Sequence, residues 1–355
     1  SQNEYERSET SFRRAITLKP SFGVAYLNLV VTLQAQRKFV EAEYNCRAAI
    51  AISPTFPEAR NLLGVILQSL NKLEEATESL SKAIEQRPDY GAALLNLSVL
   101  FEYLSKSEDS LDLMHRARSQ GAVGPILKAN VHLALNAFLK HQFSSAGRYL
   151  SEASNILKEK SPTFDTEKNY YIYLKKILSE QLLVSPSLEA AGCASRLYIL
   201  GESHSLVSHN LLIQKEGKKY VGEARLIKGC KQWHLGNSQP NQYKIKFERL
   251  MKDLPKRSEI LLAIGEIDCR LNTGILKFKK SGGNVKIAEV VESTIENFCD
   301  YVSRCNKNLS HDISIQGVPC PQLNPRSYDD MEFEDLVNVR VLFNQSLKKI
   351  VQGVG

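Results

Sequence analysis

Proline recurs at positions 20, 54 and 88, a step of 34 residues. Alanine keeps that step in three further series: Ala15, Ala49 and Ala83; Ala25, Ala59 and Ala93; Ala42 and Ala76. A fixed period of this length forces one supersecondary unit to be built repeatedly, because each unit can bury its apolar face only against the next. Every period holds two amphipathic stretches, such as 59–67 (ARNLLGVIL) and, past Asn71 and Lys72, 74–84 (EEATESLSKAI). Small residues fall where two helices must approach closely, and proline closes the unit because it cannot continue a helix. The spacing predicts a lone second helix over 5–18, two full units, a third over 90–120 and a degenerate fourth. In the fourth, Ala129 and Ala153 follow Ala93 and Ala117 by 36, which places a two-residue insertion around 121–124. A further helix over 167–183 is expected to cap the last apolar face.

This period and register resemble the tetratricopeptide repeat (TPR). The resemblance implies an N-terminal TPR α-solenoid whose concave groove takes an extended peptide or a neighbouring domain. Asn28 and Asn96 occupy equivalent first-helix positions, whereas the middle unit has Leu62 there and Asn61 one place earlier. In some repeat proteins of this kind an asparagine ladder holds peptide backbone, so Asn28, Asn61 and Asn96 are candidate peptide-binding residues. Polar packing between helices is the alternative.

With 355 residues, 43% hydrophobic and 24% charged, the chain can bury a sizeable core and is expected to form two domains. It has no apolar run of about eighteen residues, so no membrane span is expected. The net charge of +7 is dispersed apart from short lysine clusters at 215–219, 228–231 and 277–280, read as solvated loops or a mildly basic surface. No nucleic-acid partner is expected. Seven cysteines without a close CxxC pair argue for reduced thiols and a cytoplasmic site. They also lack paired ligand spacing, and no GxGxxG or GxxxxGK[ST] occurs, so neither metal nor cofactor is expected. The sequence opens on Ser1 and is expected to be a cut fragment.

Residues 185–193 (SPSLEAAGC) have neither helical nor strand periodicity and mark a boundary. The expected organisation is therefore repeats over 1–160, a capping helix and linker over 161–195, and an α/β domain over 196–355. In the last of these, 196–205 (RLYILGESHS) reads as a buried strand that stops at Gly201 and delivers its polar residues into a turn. Further strands are predicted at 224–228, 259–264 and 311–316, a short helix at 209–214, a loop at 215–220, and long helices at 284–305 and 333–351. Strands alternating with helices predict a parallel sheet, whose ligands bind at the carboxyl ends of its strands.

The residues at those strand ends resemble the SGNH, or GDSL-type, hydrolases. Gly201-Glu202-Ser203-His204-Ser205 is similar to the nucleophile block of that family, with Glu202 in place of the usual aspartate. Gly229 falls where the family keeps an oxyanion glycine, Gly265-Glu266-Ile267-Asp268 resembles the third block, and Val318-Pro319-Cys320-Pro321 the loop after the fourth strand. The resemblance implies a flavodoxin-like three-layer α/β/α domain and a serine esterase or acyl-transfer enzyme acting on an acylated carbohydrate or other small polar ester. It implies Ser203 as nucleophile and the amides of Ser203 and Gly229 as oxyanion donors. Ile267 stands where the family has an asparagine donor. The family's Asp-His block is missing: the one DxxH here, 112–115, sits on a repeat helix, so the block is expected beyond Gly355. His234 is the candidate substitute base. Glu202, His204, Glu266, Asp268, Arg270 and Trp233 are candidate substrate-binding residues, with loop-ordering ion pairs and core packing as the alternatives. Two further functions stay open: a scaffold with a catalytically inert sheet domain, and a different group transfer at the same site.

Overall fold

The computed structural model describes residues 2–104, 106–119, 123–159, 165–184, 195–265, 267–269, 274–280, 286–318 and 330–353. The chain divides into two compact units, Ser1–Glu180 and Gln181–Gly355.

The first unit is a run of helices: α1 (Gln2–Leu18), α2 (Gly23–Ala35), α3 (Phe39–Ile52), α4 (Pro57–Ser69), α5 (Leu73–Gln86), α6 (Gly91–Tyr103), α7 (Ser107–Ser119), α8 (Val123–Leu139), α9 (Phe143–Glu159) and α10 (Asp165–Val184). From Ala25 onward, the alanines that set the period are withdrawn from water. Ala25, Ala59, Ala93 and Ala129 in the first helices, and Ala49, Ala83, Ala117 and Ala153 in the second, are all buried. Gly64 takes the close approach further, since a Cβ there would lie 2.5 Å from Leu80 Cγ on the paired helix. The fourth pair, α8 and α9, runs to 17 residues per helix against 13 and 14 in α4 and α5.

Three of the first helices, α2, α4 and α8, end alike. Arg37, Asn71 and His141 take left-handed φ values of 60°, 60° and 58°. The following N–H then bonds back to the carbonyl five residues earlier: Lys38 to Leu33 at 2.9 Å, Lys72 to Leu67 at 2.8 Å and Gln142 to Ala137 at 2.8 Å. That bond satisfies a carbonyl the helix end would leave open and reverses the chain into the second helix. An ion-pair set repeats with the same period. Glu9 meets Arg13 and Lys38, each at 2.9 Å, and Arg13 reaches Glu41 at 2.7 Å. One unit on, Glu43 meets Arg47 at 2.8 Å and Lys72 at 2.9 Å, and Arg47 reaches Glu75. Thr77 and Ser81 stand where the next set would need its Glu and Arg, and the series stops.

The second unit is built on β1 (Ser195–Gly201), β2 (Leu212–Lys215), β3 (Lys218–Leu226), β4 (Glu259–Ala263) and β5 (Asp312–Ile315). They form one sheet in the order β2-β3-β1-β4-β5. β3, β1, β4 and β5 run parallel, and β2 lies antiparallel to β3 at the edge. β1 is central and buried on both faces, which is why it reads as an unbroken apolar run. Tyr198 and Leu200 face a cluster with Phe247 and Met251 of α12 (Gln242–Asp253) and Phe298 and Val302 of α14 (Ile287–Asn306). Leu197 and Ile199 pack on the other face with Tyr220, Ile213, Leu261 and Ala263. α13 (Ile275–Lys280) and α15 (Asp330–Gly353) join α14 in a further cluster around Leu276, Val291, Ile295 and Phe343.

Two local expectations fail. The predicted short helix at 209–214 is absent: a 3-10 turn, Ser203–Ser208, precedes it and β2 begins at Leu212. His209 is fully buried there, its Nδ1 accepting the Ala224 N–H at 3.1 Å. The predicted loop at 215–220 is a two-residue hairpin turn, Glu216 and Gly217 at φ 52° and 79°, running into β3. Such a turn needs positive φ at both residues, and Glu-Gly lacks the Asn or Asp that usually announces it. The first crossover is therefore an edge strand where a helix was expected, and among the described residues it supplies no helical layer to the Leu197 and Ile199 face.

Candidate functional site

Parallel register sets the three strand ends level. Gly201 of β1 pairs with Leu226 of β3 and with Ala263 of β4. Ser203, Gly229 and Gly265 thus lie two, three and two residues past a common line. The approach is tight, since a Cβ on Gly201 would lie 2.3 Å from the Ala263 carbonyl oxygen. Ser203 opens the 3-10 turn and is half-buried. Among the described residues its hydroxyl has no hydrogen-bond partner. Gly229 is exposed with φ 68°, and the nearest atom to a Cβ there would be Tyr243 Oη at 3.8 Å. Backbone conformation, not space, is what asks for glycine.

Beneath these ends lies a layer of buried tethers. Glu202 is 2% exposed, and its Oε1 accepts the Gly265 N–H at 3.5 Å. Asp268 is 1% exposed, and its carboxylate accepts the N–H groups of Gln232 at 2.8 Å and Trp233 at 3.4 Å. Gln232 in turn donates through Nε2 to the Ile264 carbonyl at 2.8 Å. Burial raises the Asp268 pKa from 3.8 to about 6. The Cys230 thiol is also buried, and burial first, then the nearby Glu202 and Asp268 carboxylates, push its pKa well above the usual value. A thiol kept protonated in this way is a poor nucleophile.

The structure shows what several of the expected site residues touch. Glu202 and Asp268 are withdrawn from solvent and tie strand-end loops together. His234 is held within its own loop. It lies in α11 (Gln232–Gly236), its Nδ1 accepts the Lys231 N–H at 3.0 Å, and its ring stacks on Tyr243 at 4.1 Å and 8°. Nδ1 is thus engaged as an acceptor within its own loop. Trp233 is no core residue, being 55% exposed. Glu266, Arg270, the 319–321 loop and the side chain of His204 lie outside the described residues. Gln232, which sequence inspection did not single out, is the hub of the tether layer; nothing in its local pattern distinguishes it from a surface glutamine.

In the first unit α2, α4, α6 and α8 contact one another in succession, so their solvent-facing sides form one surface. Val31, Val65 and Val99 recur on it at the 34-residue step, Val31 being 51% exposed and the other two half-buried. The asparagines do not form a ladder there. Asn61 is buried and accepts from Asn96 Nδ2 at 2.8 Å, a tie between α4 and α6, while Asn28 is exposed one unit away. Among the described residues no helix is long and apolar enough to cross a membrane.

Residues 33–98 match the tetratricopeptide repeat family model. No curated protein matches the chain. Solved structures similar to it include MamA, 16% identical over 45% of this chain and 92% of that one, with a TM-score of 0.39. A thermophilic TPR protein from Thermus thermophilus is 18% identical over 51% and 92%, at 0.40. YrrB, a TPR protein with an unusual peptide-binding site, is 18% identical over 49% and 84%, at 0.37. The chain thus carries tetratricopeptide repeats within an N-terminal helical array, followed by a mixed α/β sheet region.

Proposed function

We propose that the protein is an interaction scaffold that captures a protein or peptide partner on the first helices of its repeat array. The observation that carries this reading is the valine row Val31, Val65 and Val99. It sets apolar side chains on the surface at the repeat interval, where water-exposed helix faces are usually polar. An extended or helical segment with apolar side chains would bury this row, and the surrounding polar positions would fix its direction. The test is affinity capture from cells expressing the chain, with Val65→Glu and Val99→Glu combined in one variant. A discrete partner held by the parent and by Ser203→Ala, but lost from the double variant, is the expected result; equal capture by all three would reject the groove.

A second reading, an SGNH-type esterase or acyl-transfer site in a flavodoxin-like domain, draws support from Ser203. Its half-buried hydroxyl stands at the end of the central strand, near two glycine turns, and the parallel strands follow the doubly wound order β3-β1-β4-β5. Against it, the sequence has isoleucine at 267, a residue type without a hydrogen-bond donor, where the family has asparagine, and losing one such donor typically costs about 2.7–4 kcal/mol in the transition state. His234 Nδ1 already accepts the Lys231 N–H, so a base role for this ring would have to use Nε2. Labelling of Ser203 by a serine-directed phosphonate, with ester turnover abolished by Ser203→Ala, would establish this reading, and an inert Ser203 would remove it.

A further inference from the structure

Trp233 is the chain's single tryptophan and stands more than half exposed beside Phe278, itself 51% exposed. The two rings line a groove of about 410 Å³ together with Gly236, Asn237, Ser293 and Asn297. That volume lies in the usual range for small-molecule sites, about 300–1,000 Å³. The walls are held from behind. The buried Asp268 carboxylate fixes the start of α11 through the Gln232 and Trp233 amides, and the Trp233 ring meets His234 edge-on at 5.5 Å. Gly236 lets the end of α11 lie directly on α14, since a Cβ there would sit 2.9 Å from both Asn297 Cβ and the Phe298 nitrogen. Asn297 donates through Nδ2 to the Ser293 carbonyl at 2.7 Å and to Ser293 Oγ at 3.2 Å, which commits its donor side and leaves Oδ1 as an acceptor.

These features select a ligand chemistry. An aromatic pair offers broad apolar faces, and amide and hydroxyl groups sit at their edge. A purely apolar occupant would strip water from Asn237, Ser293 and Asn297 without replacing its hydrogen bonds, at a cost. An anion would face Glu289, which also lines the groove and already pairs with Lys286 at 3.5 Å. A neutral molecule with an apolar face and a rim of hydroxyls meets every requirement, and a sugar ring has that form. We propose that this groove binds a neutral saccharide, one ring face stacked on the Trp233 indole and its hydroxyls bonded to Asn297 and Asn237. The site needs neither a partner on the repeat array nor any chemistry at Ser203, so it stands or falls separately from both readings above.

Because Trp233 is the sole indole, its emission reports this groove alone. The full chain is titrated with cellotetraose, chitotetraose and maltotetraose to ~10 mM, a range in which a Kd of ~1 mM is evident. A saturable change in emission, with protection from iodide quenching, is expected for at least one of them. Asn297→Ala should weaken that binding about tenfold, a loss of about 1.4 kcal/mol, without shifting the emission of the free protein. Trp233→Ala should abolish the heat of binding in calorimetry while the circular dichroism stays that of the parent. Silence with all three saccharides overturns the proposal, as does binding that survives Trp233→Ala. An emission change with anilinonaphthalene sulfonate and with none of the sugars would give the groove to an apolar partner, and overturns it too.

Discussion

At the scale of single residues, the carboxyl edge of the sheet is governed by what has been removed from water. Asp268 is an acid whose pKa in the folded chain, about 6, lies above its usual 3.8 because burial penalises the charged form. Its contribution to stability is therefore complete below 3.8 and is lost as the pH rises through about 6. The urea midpoint of the α/β unit should fall over that window in the parent and lose this slope in Asp268→Asn, a comparison that denaturation at stepped pH reads directly. Gly201 is the steric counterpart. With a Cβ destined for 2.3 Å from the Ala263 oxygen, Gly201→Ala must push β1 and β4 apart. Overpacking of this kind typically costs about 1–3 kcal/mol, measurable by urea titration. Position Ser203 carries no such constraint, so Ser203→Ala should leave the midpoint nearly unchanged and serve as a clean probe of chemistry.

Helix pairs and strands show how one residue type is assigned different duties by its neighbours. Asn28 and Asn96 share a register position and Asn61 sits one place earlier, yet Asn61 and Asn96 form an internal tie while Asn28 is a surface group. Asn61→Ala strands the Asn96 amide between α4 and α6 and should cost about 1–3 kcal/mol. Asn28→Ala should stay within about 0.5 kcal/mol. Thermal unfolding of the two variants separates the cases, and similar losses for both would mean that the tie holds nothing together. The repeated Glu9 and Glu43 ion pairs follow the same logic. Hydrogen bonds from Lys38, then Arg13 and Gln36, hold the Glu9 carboxylate down at about 2, so it remains charged through mild acid.

Across the whole molecule, the array and the sheet each bury their own apolar set: the periodic alanines and leucines in one, the clusters about β1 and α14 in the other. Denaturant should therefore unfold the chain in two transitions, with Asn61→Ala moving one and Gly201→Ala the other. A single transition displaced equally by both variants would show that the units melt together. The repeats were legible in the residues themselves because a periodic stack is a local code: each 34-residue unit meets only its neighbours, and alanine spacing alone says where helices touch. β1 and β4 could likewise be found as apolar runs, β5 by its alternation of polar and apolar residues, and the long helices by their 3.6-residue pattern. The hairpin of β2 and β3 was hidden, since an edge strand is specified by pairing and by a turn whose Glu-Gly pair announces little. The strand-end site divided in the same way. That Gly201 ends a strand and that Gly229 and Gly265 lie in the turns just past two others is a local property, and sequence was enough to find them. Which loops Glu202, Asp268 and His234 tie, and whether Trp233 lies in a core or on a groove, depends on which distant backbone groups come to rest beside them. Burial and hydrogen bonding between residues far apart in the chain exist only once the sheet has closed, and so tertiary structure alone decided them.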